Sequence, residues 1–482
     1  MYRKGEDQIP IEAFDFSGAG SLNPKNRWVV LSHLIPWEEV EAEYRQNFSS
    51  EGLGAPSKPA RMALGSLLIK ERLGCSDEEA VEQICENPYL QYFIGLSRYQ
   101  RDAPFDSSML VHFRKRFSLE MLARINERTV EKMRELGRGK DDEPPRSRRF
   151  KRESSEVSGA VEPAAPKQNA GKQVMDATCV PADITYPTDL KLLNTARRKT
   201  EEMIDRLYEV SGQIRKPRTY RMKAHRLWLE LAKSKKVSSP QLRKAIGQQL
   251  RFLKRNLKHI EHLSERVSLK VLKRVQYREL LVIHEVYRQQ GWMYQNRACR
   301  IEGRIVSIFQ PHVRPIVRGK VSAPTEFGAK LSASLCGGFV FLDHLNWNAF
   351  NESSHLIQQV EAFKRRFGCY PESVHVDKIY RTQENRAFCK SKGIRLSGPP
   401  LGRPVQQTKQ NQVELKQQKK IARQDELERI PIEGKFGQAK RRFSLHRVMT
   451  KRANTSECAI AIVFLLINLE KGLALFLYVL LS

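Results

Sequence analysis

Apolar residues near the start of the chain recur with helical spacing. Residues 57–74 (SKPARMALGSLLIKERLG) show this pattern, with Ser57 predicted as the N-cap and Gly74 as the stop. Another helix is expected from about Ser107, in the segment PFDSSMLVHFRKRF. These signals predict that residues 1–136 form an all-helical N-terminal domain.

The helical pattern is lost over residues 137–170, which are rich in proline, glycine, serine and charge. Segments of this composition bury too little apolar surface to fold and are typical of flexible linkers. We therefore place a domain boundary here and assign residues 171–482 to a second domain.

Strand-like runs alternate with a helical run in the second domain. The first of them, residues 172–189 (KQVMDATCVPADITYPTD), predicts a strand that contains Asp176, followed by a returning strand. A helix is expected at residues 353–368. Further strands are predicted at residues 304–309, 326–335, 337–345 and 373–380. Alternation of this kind is typical of an α/β fold.

A helical block, residues 195–303, interrupts the strand-like runs. One long amphipathic helix is predicted from apolar positions three or four apart: Ile246, Leu250, Leu253, Leu257 and Ile260. The block holds 27 Lys and Arg against 10 Asp and Glu, so it supplies +17 of the chain's net charge of +30. We interpret it as a helical insertion that contacts DNA, with a solvated helical hairpin as the alternative.

The whole chain is strongly basic. Its 84 Lys and Arg against 54 Asp and Glu indicate a polyanionic partner, and nucleic acid is the leading choice. The eight cysteines include no C-x-x-C pair, which excludes the common zinc modules and fits a reducing cytosol. The first residues lack the apolar core of a signal peptide, so we expect a cytoplasmic protein.

Residues 458–481 are apolar enough to suggest a membrane span. Asn468, Glu470 and Lys471 interrupt the middle of this run, so we predict a buried core helix and no membrane association. A membrane-associated basic protein is the alternative that the run leaves open.

Three carboxylates stand out as candidates for chemistry. Asp176 and Asp377 each follow valine or methionine in an otherwise apolar strand, where an unpaired charge would be costly. Glu433 stands at a predicted helix start just after Pro431, beyond a polar and basic connection at residues 401–430. A strand-end cap, a turn residue and an N-terminal helix charge are the alternatives for the three acids.

The segments around these acids resemble the signature regions of DDE transposases of bacterial insertion sequences, in the group related to insertion sequences four and five. MDATCVPADITYPTD resembles the strand of the first aspartate, and HVDKIYRTQENRAF, with Tyr380, resembles the D-x-x-Y second region. RIPIEGKFGQAKRR resembles the C-terminal glutamate helix. The N-terminal PARMALGSLLIKERLGCSDEEAVEQICENPYLQYF is similar to the group's helical N-terminal domain.

The resemblance implies a metal-binding catalytic trio of Asp176, Asp377 and Glu433 in an RNase H-like α/β domain, a mixed sheet with flanking helices. The group's Y-x2-R-x3-E-x6-K signature is matched by Arg429, Glu433 and Lys440, but glutamate stands at position 426 instead of tyrosine. Three hard oxygen ligands suit Mg²⁺ or Mn²⁺, which can activate an attacking water or 3′-hydroxyl.

Several basic or polar residues are predicted to contact DNA. On the glutamate helix and the second region these are Arg429, Lys440, Arg441, Arg442 and Tyr380. On a short N-terminal helix they are Arg114, Lys115 and Arg116, which would read DNA as a basic helix does. Simple salt bridging and a solvated helix face are the alternatives.

Together these features predict a DNA transposase that acts near the bacterial nucleoid. It would bind the terminal inverted repeats of an insertion sequence, cleave double-stranded DNA and join the 3′-hydroxyl ends to target DNA, as a homo-oligomer in the synaptic complex. A catalytically inactive DNA-binding relative and a nuclease of the same fold are the alternative functions.

Overall fold

The computed structural model describes residues 9–16, 21–48, 56–138, 169–317, 325–399 and 411–481, so most of the predicted linker lies outside the described residues. The N-terminal region is helical, as predicted. Its helices are α1 (Arg27–Leu34), α2 (Trp37–Arg45), α3 (Ala60–Leu73), α4 (Asp77–Glu86), α5 (Pro88–Phe93), α6 (Met109–Arg116) and α7 (Leu119–Arg138).

The ends of α3 test the predicted helix signals. Gly74 ends the helix with a φ of 67°, a left-handed conformation that glycine adopts without strain. The predicted cap at Ser57 is wrong, because α3 begins at Ala60 and Pro59 occupies the capping position. The N–H of Ala60 donates a hydrogen bond of 3.1 Å to Oε2 of Glu41 in α2, so a side chain from another helix caps the start of α3.

The second domain contains one mixed sheet. Its strands are β1 (Lys172–Pro181), β2 (Arg314–Val317), β3 (Thr325–Cys336), β4 (Phe339–Asn346), β5 (Ser373–His375) and β6 (Arg395–Leu396). β3 pairs antiparallel with β1, β2 and β4, while β5 pairs parallel with β1 and β6. The α/β class predicted from the sequence is confirmed at this level.

Two predicted strands are absent from the described residues. Residues 304–309 lie in an irregular segment, and residues 182–188 after β1 form a loop instead of a returning strand. Ile305 and Ile308 are nevertheless buried in a hydrophobic cluster. Short apolar runs indicate burial without distinguishing a strand from a buried loop, which is why these predictions are wrong.

The helical insertion follows β1 and precedes β2. Its helices are α8 (Asp189–Ser211), α9 (Arg221–Ala232), α10 (Ser239–Ser264) and α11 (Arg274–Asn296). The predicted amphipathic helix is confirmed, because α10 buries its apolar face in a cluster that it shares with α8 and α11. The helical unit begins at Asp189, six residues before the predicted position 195.

The remaining helices are α12 (Leu356–Phe367), α13 (Gln383–Ser391), α14 (Gln412–Arg442) and α15 (Ala453–Leu481). The prediction that the glutamate helix starts near Pro431 is wrong, because Pro431 lies inside α14. Residues 412–430 are rich in Glu, Gln, Lys, Arg and Leu, which are good helix formers despite their polarity. Proline removes one backbone donor there without ending the helix.

Helix α15 joins the two predicted domains in one core. It packs against α7, α3, α6 and α1 on the N-terminal side and against β4 of the sheet. By length and composition Ala453–Phe476 is apolar enough to cross a membrane, but most of this stretch is buried inside the protein. Asn468 accepts a hydrogen bond from the N–H of Val340 and donates to Asn126, which satisfies its polar atoms within the core.

Candidate active site

The sheet register brings together the segments that carry the two aspartates. Val174 of β1 pairs with His375 of β5, and the strands run parallel. Asp176 and Asp377 each follow these paired residues by two positions. Both aspartates therefore lie beyond the last paired residues of β1 and β5, toward the same end of these parallel strands.

Asp176 is the more enclosed of the two aspartates. Its Oδ1 accepts a hydrogen bond of 2.8 Å from the N–H of Ala177. Burial raises the pKa of Asp176 to about 6, and the charges of Glu352 and Glu433 add to this, while the Ala177 N–H and Arg429 oppose it. A cation bound nearby would thus stabilise the charged form of Asp176.

Asp377 lies just after β5, where it caps a short 3-10 helix, Lys378–Tyr380. Its Oδ1 accepts a hydrogen bond of 2.6 Å from the N–H of Lys378, and its side chain is 55% exposed. Tyr380 is fully buried, with its hydroxyl 3.5 Å from Oγ of Ser332, and burial raises its pKa far above the usual range. The structure therefore does not bring Tyr380 to the surface where DNA would bind.

Helix α14 brings Arg429 and Glu433 to the aspartates. One terminal nitrogen of Arg429 lies 3.6 Å from Oδ1 of Asp377, and the other lies 3.7 Å from Oε1 of Glu433. Arg429 and Glu433 are one helical turn apart, so both point to the same side of α14. Arg429 thus lies between carboxylates that would otherwise repel each other.

A second group of charges fastens α14 to β5 beside this site. The ring of His375 is fully buried, with Nδ1 3.5 Å from Asp425 and Nε2 3.3 Å from Glu428. Arg395 makes two hydrogen bonds of 2.8 and 2.9 Å to Asp425, and Lys172 lies 2.7 Å from Glu428. Burial lowers the pKa of His375, while the two carboxylates oppose that change.

The His375 group carries metal-ligand side chains, but its charges already balance. The carboxylates of Asp425 and Glu428 face the cations of Arg395 and Lys172. Sequence reasoning missed this group because the histidine and the acids are far apart in the chain. The available signal was the pair of acids three residues apart on α14, which share one helix face.

Glu352 is a further acid near the site that sequence reasoning missed. It raises the pKa of Asp176, and its carboxylate lies 2.9 Å from Nζ of Lys330 on β3. It stands in a short 3-10 helix before α12, in a polar segment that shows no motif.

The other predicted DNA-binding residues occupy different surroundings. Lys440 is partly buried, Arg441 is exposed, and Arg442 pairs with Glu470 at 2.6 Å. On α6, Lys115 is exposed, and Arg116 donates a hydrogen bond of 3.1 Å to the hydroxyl of Tyr44. The α6 residues belong to the N-terminal helices, and the structure does not bring them to the acids.

Arg114 has a structural environment. It is 3% exposed, and its guanidinium makes a two-point contact with Asp77 at the start of α4, with one hydrogen bond of 2.8 Å. A buried guanidinium whose two terminal nitrogens are both paired with Asp77 stabilises the packing of α6 on α4 and has little capacity left for a phosphate.

Comparison with known proteins gives two family matches. A family described as a transposase DDE domain matches residues 374–470, which include Asp377, Arg429 and Glu433. A second family, described as a transposase domain (DUF772), matches residues 19–116 in the N-terminal helices. These two matches support a transposase function.

One relative in the comparison is an uncharacterized protein. The chain is 27% identical over 171 residues to an uncharacterized protein, ORF8 in the nfe locus, of Rhizobium meliloti; the match covers 36% of this chain and 69% of that protein. No solved structure matches the chain. Both family matches are consistent with a DDE transposase of bacterial insertion sequences, of the type related to insertion sequences four and five.

Proposed function

We propose that this transposase binds the ends of an insertion sequence, cleaves the DNA and joins its 3′-hydroxyl ends to target DNA. Asp176, Asp377 and Glu433 would carry the reaction. The observation that supports this most directly is their convergence. The two aspartates follow paired residues of the parallel strands β1 and β5, and Arg429 is in contact with both Asp377 and Glu433.

We also propose that the catalytic domain is RNase H-like. Support comes from the sheet, in which the antiparallel strands β4, β3 and β1 are extended by the parallel strands β5 and β6. In such a domain, separated chain segments bring three carboxylates to one edge of a mixed sheet, and fold analogy carries the remainder of the argument.

The donor set fits Mg²⁺ or Mn²⁺. Asp176, Asp377 and Glu433 offer only carboxylate oxygens, which these hard cations prefer. The side chains of Asp377 and Glu433 are 55% and 60% exposed, so the site is open to water and substrate. A bound metal would activate the attacking oxygen and stabilise the leaving one.

Arg429 would position the DNA. Its contacts of 3.6 and 3.7 Å exceed hydrogen-bond distance, so they leave its N–H groups able to donate to a phosphate. Lys440, Arg441 and Arg442 follow on the same helix and would hold the backbone on either side of the cut. Arg114 and Tyr380 stay outside the proposed DNA surface because both are buried.

The remaining proposals concern partners and location. The helical insertion would hold DNA through phosphate contacts, and Lys115 and Arg116 on α6 would contribute to recognition of the element ends. We further propose a homo-oligomeric synaptic complex in the bacterial cytoplasm, at the nucleoid.

The test is a cleavage and joining assay with a labelled element end, a target plasmid and Mg²⁺. Nicking at the element end together with joined products supports the proposal. Cleavage without joining would identify a nuclease of the same fold, and binding without cleavage an inactive relative. Short inverted repeats flanking the gene would supply the correct end sequence.

A further inference from the structure

The first part of helix α14 extends beyond the body of the protein. The helix begins at Gln412, but the first of its side chains to be buried is Asp425. Residues 412–424 are exposed or half-exposed throughout. At a rise of 1.5 Å per residue this projecting segment is roughly 20 Å long. We call residues 412–424 the basic arm.

The cations of the basic arm lie on one face. Lys416, Lys419, Lys420 and Arg423 follow one another at intervals of three, one and three, and residues so spaced share one side of a helix. All four are exposed, and none pairs with a carboxylate among the described residues. With Glu414 as the sole acid of the arm, four positive charges and one negative leave a net charge of +3.

We propose that the basic arm binds the phosphate backbone of the element-end duplex that is being cut. This rests on the proposed function, which it deepens by stating where the DNA runs. The arm is continuous with the part of α14 that carries Glu433, ten residues beyond Arg423 and seventeen beyond Lys416. A duplex that follows the helix therefore meets the cations about 15 to 25 Å from Glu433, or about four to eight base pairs from the cleaved phosphate.

A second copy of the chain is the competing occupant. Val413 and Ile421 are 76% and 45% exposed and would offer a small apolar contact to another arm. Two copies of the same stripe facing each other would, however, bring like charges together. Because the arm carries four exposed cations and only a small apolar area, a polyanion is the favoured occupant.

The test replaces the four cations with glutamine, a good helix former, in the full chain: K416Q/K419Q/K420Q/R423Q. A matched control removes the same charge from the exposed ends of α12 and α13: K364Q/R365Q/K390Q/K392Q. Binding to element-end duplexes is measured by anisotropy without divalent metal, so that cleavage plays no part. Two duplex series are shortened base pair by base pair, one from each side of the cut.

We expect the arm variant to bind DNA more weakly than the wild type. The negative slope of log K against log salt should become less steep by about 3 to 4, since each lost phosphate contact removes about 0.9 from its magnitude. The difference from wild type should vanish when one of the two duplex series is shortened to within about four base pairs of the cut. The control variant should differ from the wild type by the same factor in affinity at every duplex length.

Three results would overturn the proposal: unchanged binding by the arm variant, an equal loss in the control, or a loss independent of duplex length. A fall in molecular mass for V413D with DNA binding unchanged would assign the arm to self-association instead. The binding measurement needs no cleavage. A protein that fails to cut DNA would therefore refute the proposed function, and the dependence of binding on duplex length would still test the basic arm.

Discussion

A terminal nitrogen of Arg429 lies 3.6 Å from the carboxylate of Asp377, at the point where helix α14 meets the end of β5. The contact joins the second aspartate to the helix of the glutamate without a hydrogen bond of normal length. Removing either charge should therefore alter the chemistry of the site while leaving the fold largely unchanged.

Asp377→Asn should abolish cleavage and leave DNA binding nearly intact. Asparagine keeps an oxygen that can accept the 2.6 Å hydrogen bond from Lys378, so the cap is retained, but the metal-binding charge is lost. Single-turnover cleavage and binding are measured on the same preparation. Glu384→Gln, at an exposed acid of nearby α13, is the control and should cleave normally. Normal cleavage by Asp377→Asn would remove this residue from the site.

Asp176→Asn should stabilise the metal-free protein at neutral pH. Burial raises the pKa of Asp176 from 3.8 to about 6, so ionising it costs folding free energy above pH 6 and nothing below pH 4. The expected gain is about 3 kcal/mol at pH 7.5 in EDTA and close to none at pH 4. Urea unfolding at both values measures it.

The stabilised variant should also respond differently to metal. Mg²⁺ should raise the urea midpoint of the wild-type protein, because binding to the folded state stabilises it, and should leave Asp176→Asn unchanged. A gain in stability that does not depend on pH would show that Asp176 is not a buried charge. An equal response of both proteins to Mg²⁺ would show that Asp176 is not a metal ligand.

Arg395→Met should destabilise the protein by about 2 kcal/mol, because it leaves the buried carboxylate of Asp425 without its two-point partner. Combining it with Asp425→Leu should recover most of the loss. The control is Arg288→Met, which breaks an exposed pair with Glu285 and should change stability by less than about 0.5 kcal/mol. Denaturant unfolding distinguishes the three variants.

The cations of the insertion should act through charge and not through sequence. Lys244, Arg251, Lys254 and Lys258 are exposed on one face of α10, and their joint replacement by glutamine should weaken binding to element-end and random duplexes alike. Filter binding across a salt series measures both slopes. A flat salt dependence in the wild type would point to a packing role, and a selective loss on element ends to base recognition.

The sequence predicted the elements whose packing has a simple period. The helices α10 and α12 each bury one regular face, and that regularity is visible in the chain. The strands β1, β3 and β4 bury consecutive residues, and their short apolar runs show this. The first half of α14 has no buried face, so its polar residues resembled a connection. Helix formation there follows from intrinsic propensity, which apolar periodicity does not reveal.

The site was predictable only in part, for a different reason. The three acids were singled out by the motifs around them, whereas the pairing of β1 with β5, which brings the segments of Asp176 and Asp377 together, depends on strand register. Arg114 looked like a DNA contact because its neighbours are basic, and only packing reveals that Asp77 takes its charge. The contacts of His375 with Asp425 and Glu428 join segments about fifty residues apart, which no local pattern predicts.

Glu433→Gln should lose nicking and strand joining together. Asp377 and Glu433 lie in the segment that matches the transposase DDE domain, and in the proposed mechanism they act with Asp176 as one site for both steps. Loss of one of three ligands should loosen the metal and misplace both the attacking and the leaving oxygen, lowering each rate by about 10² or more. The two steps are measured separately, with an uncut and with a pre-cut element end, in Mg²⁺ and in Mn²⁺. Normal nicking by the variant, or joining by the wild type in excess EDTA, would refute the three-carboxylate metal mechanism.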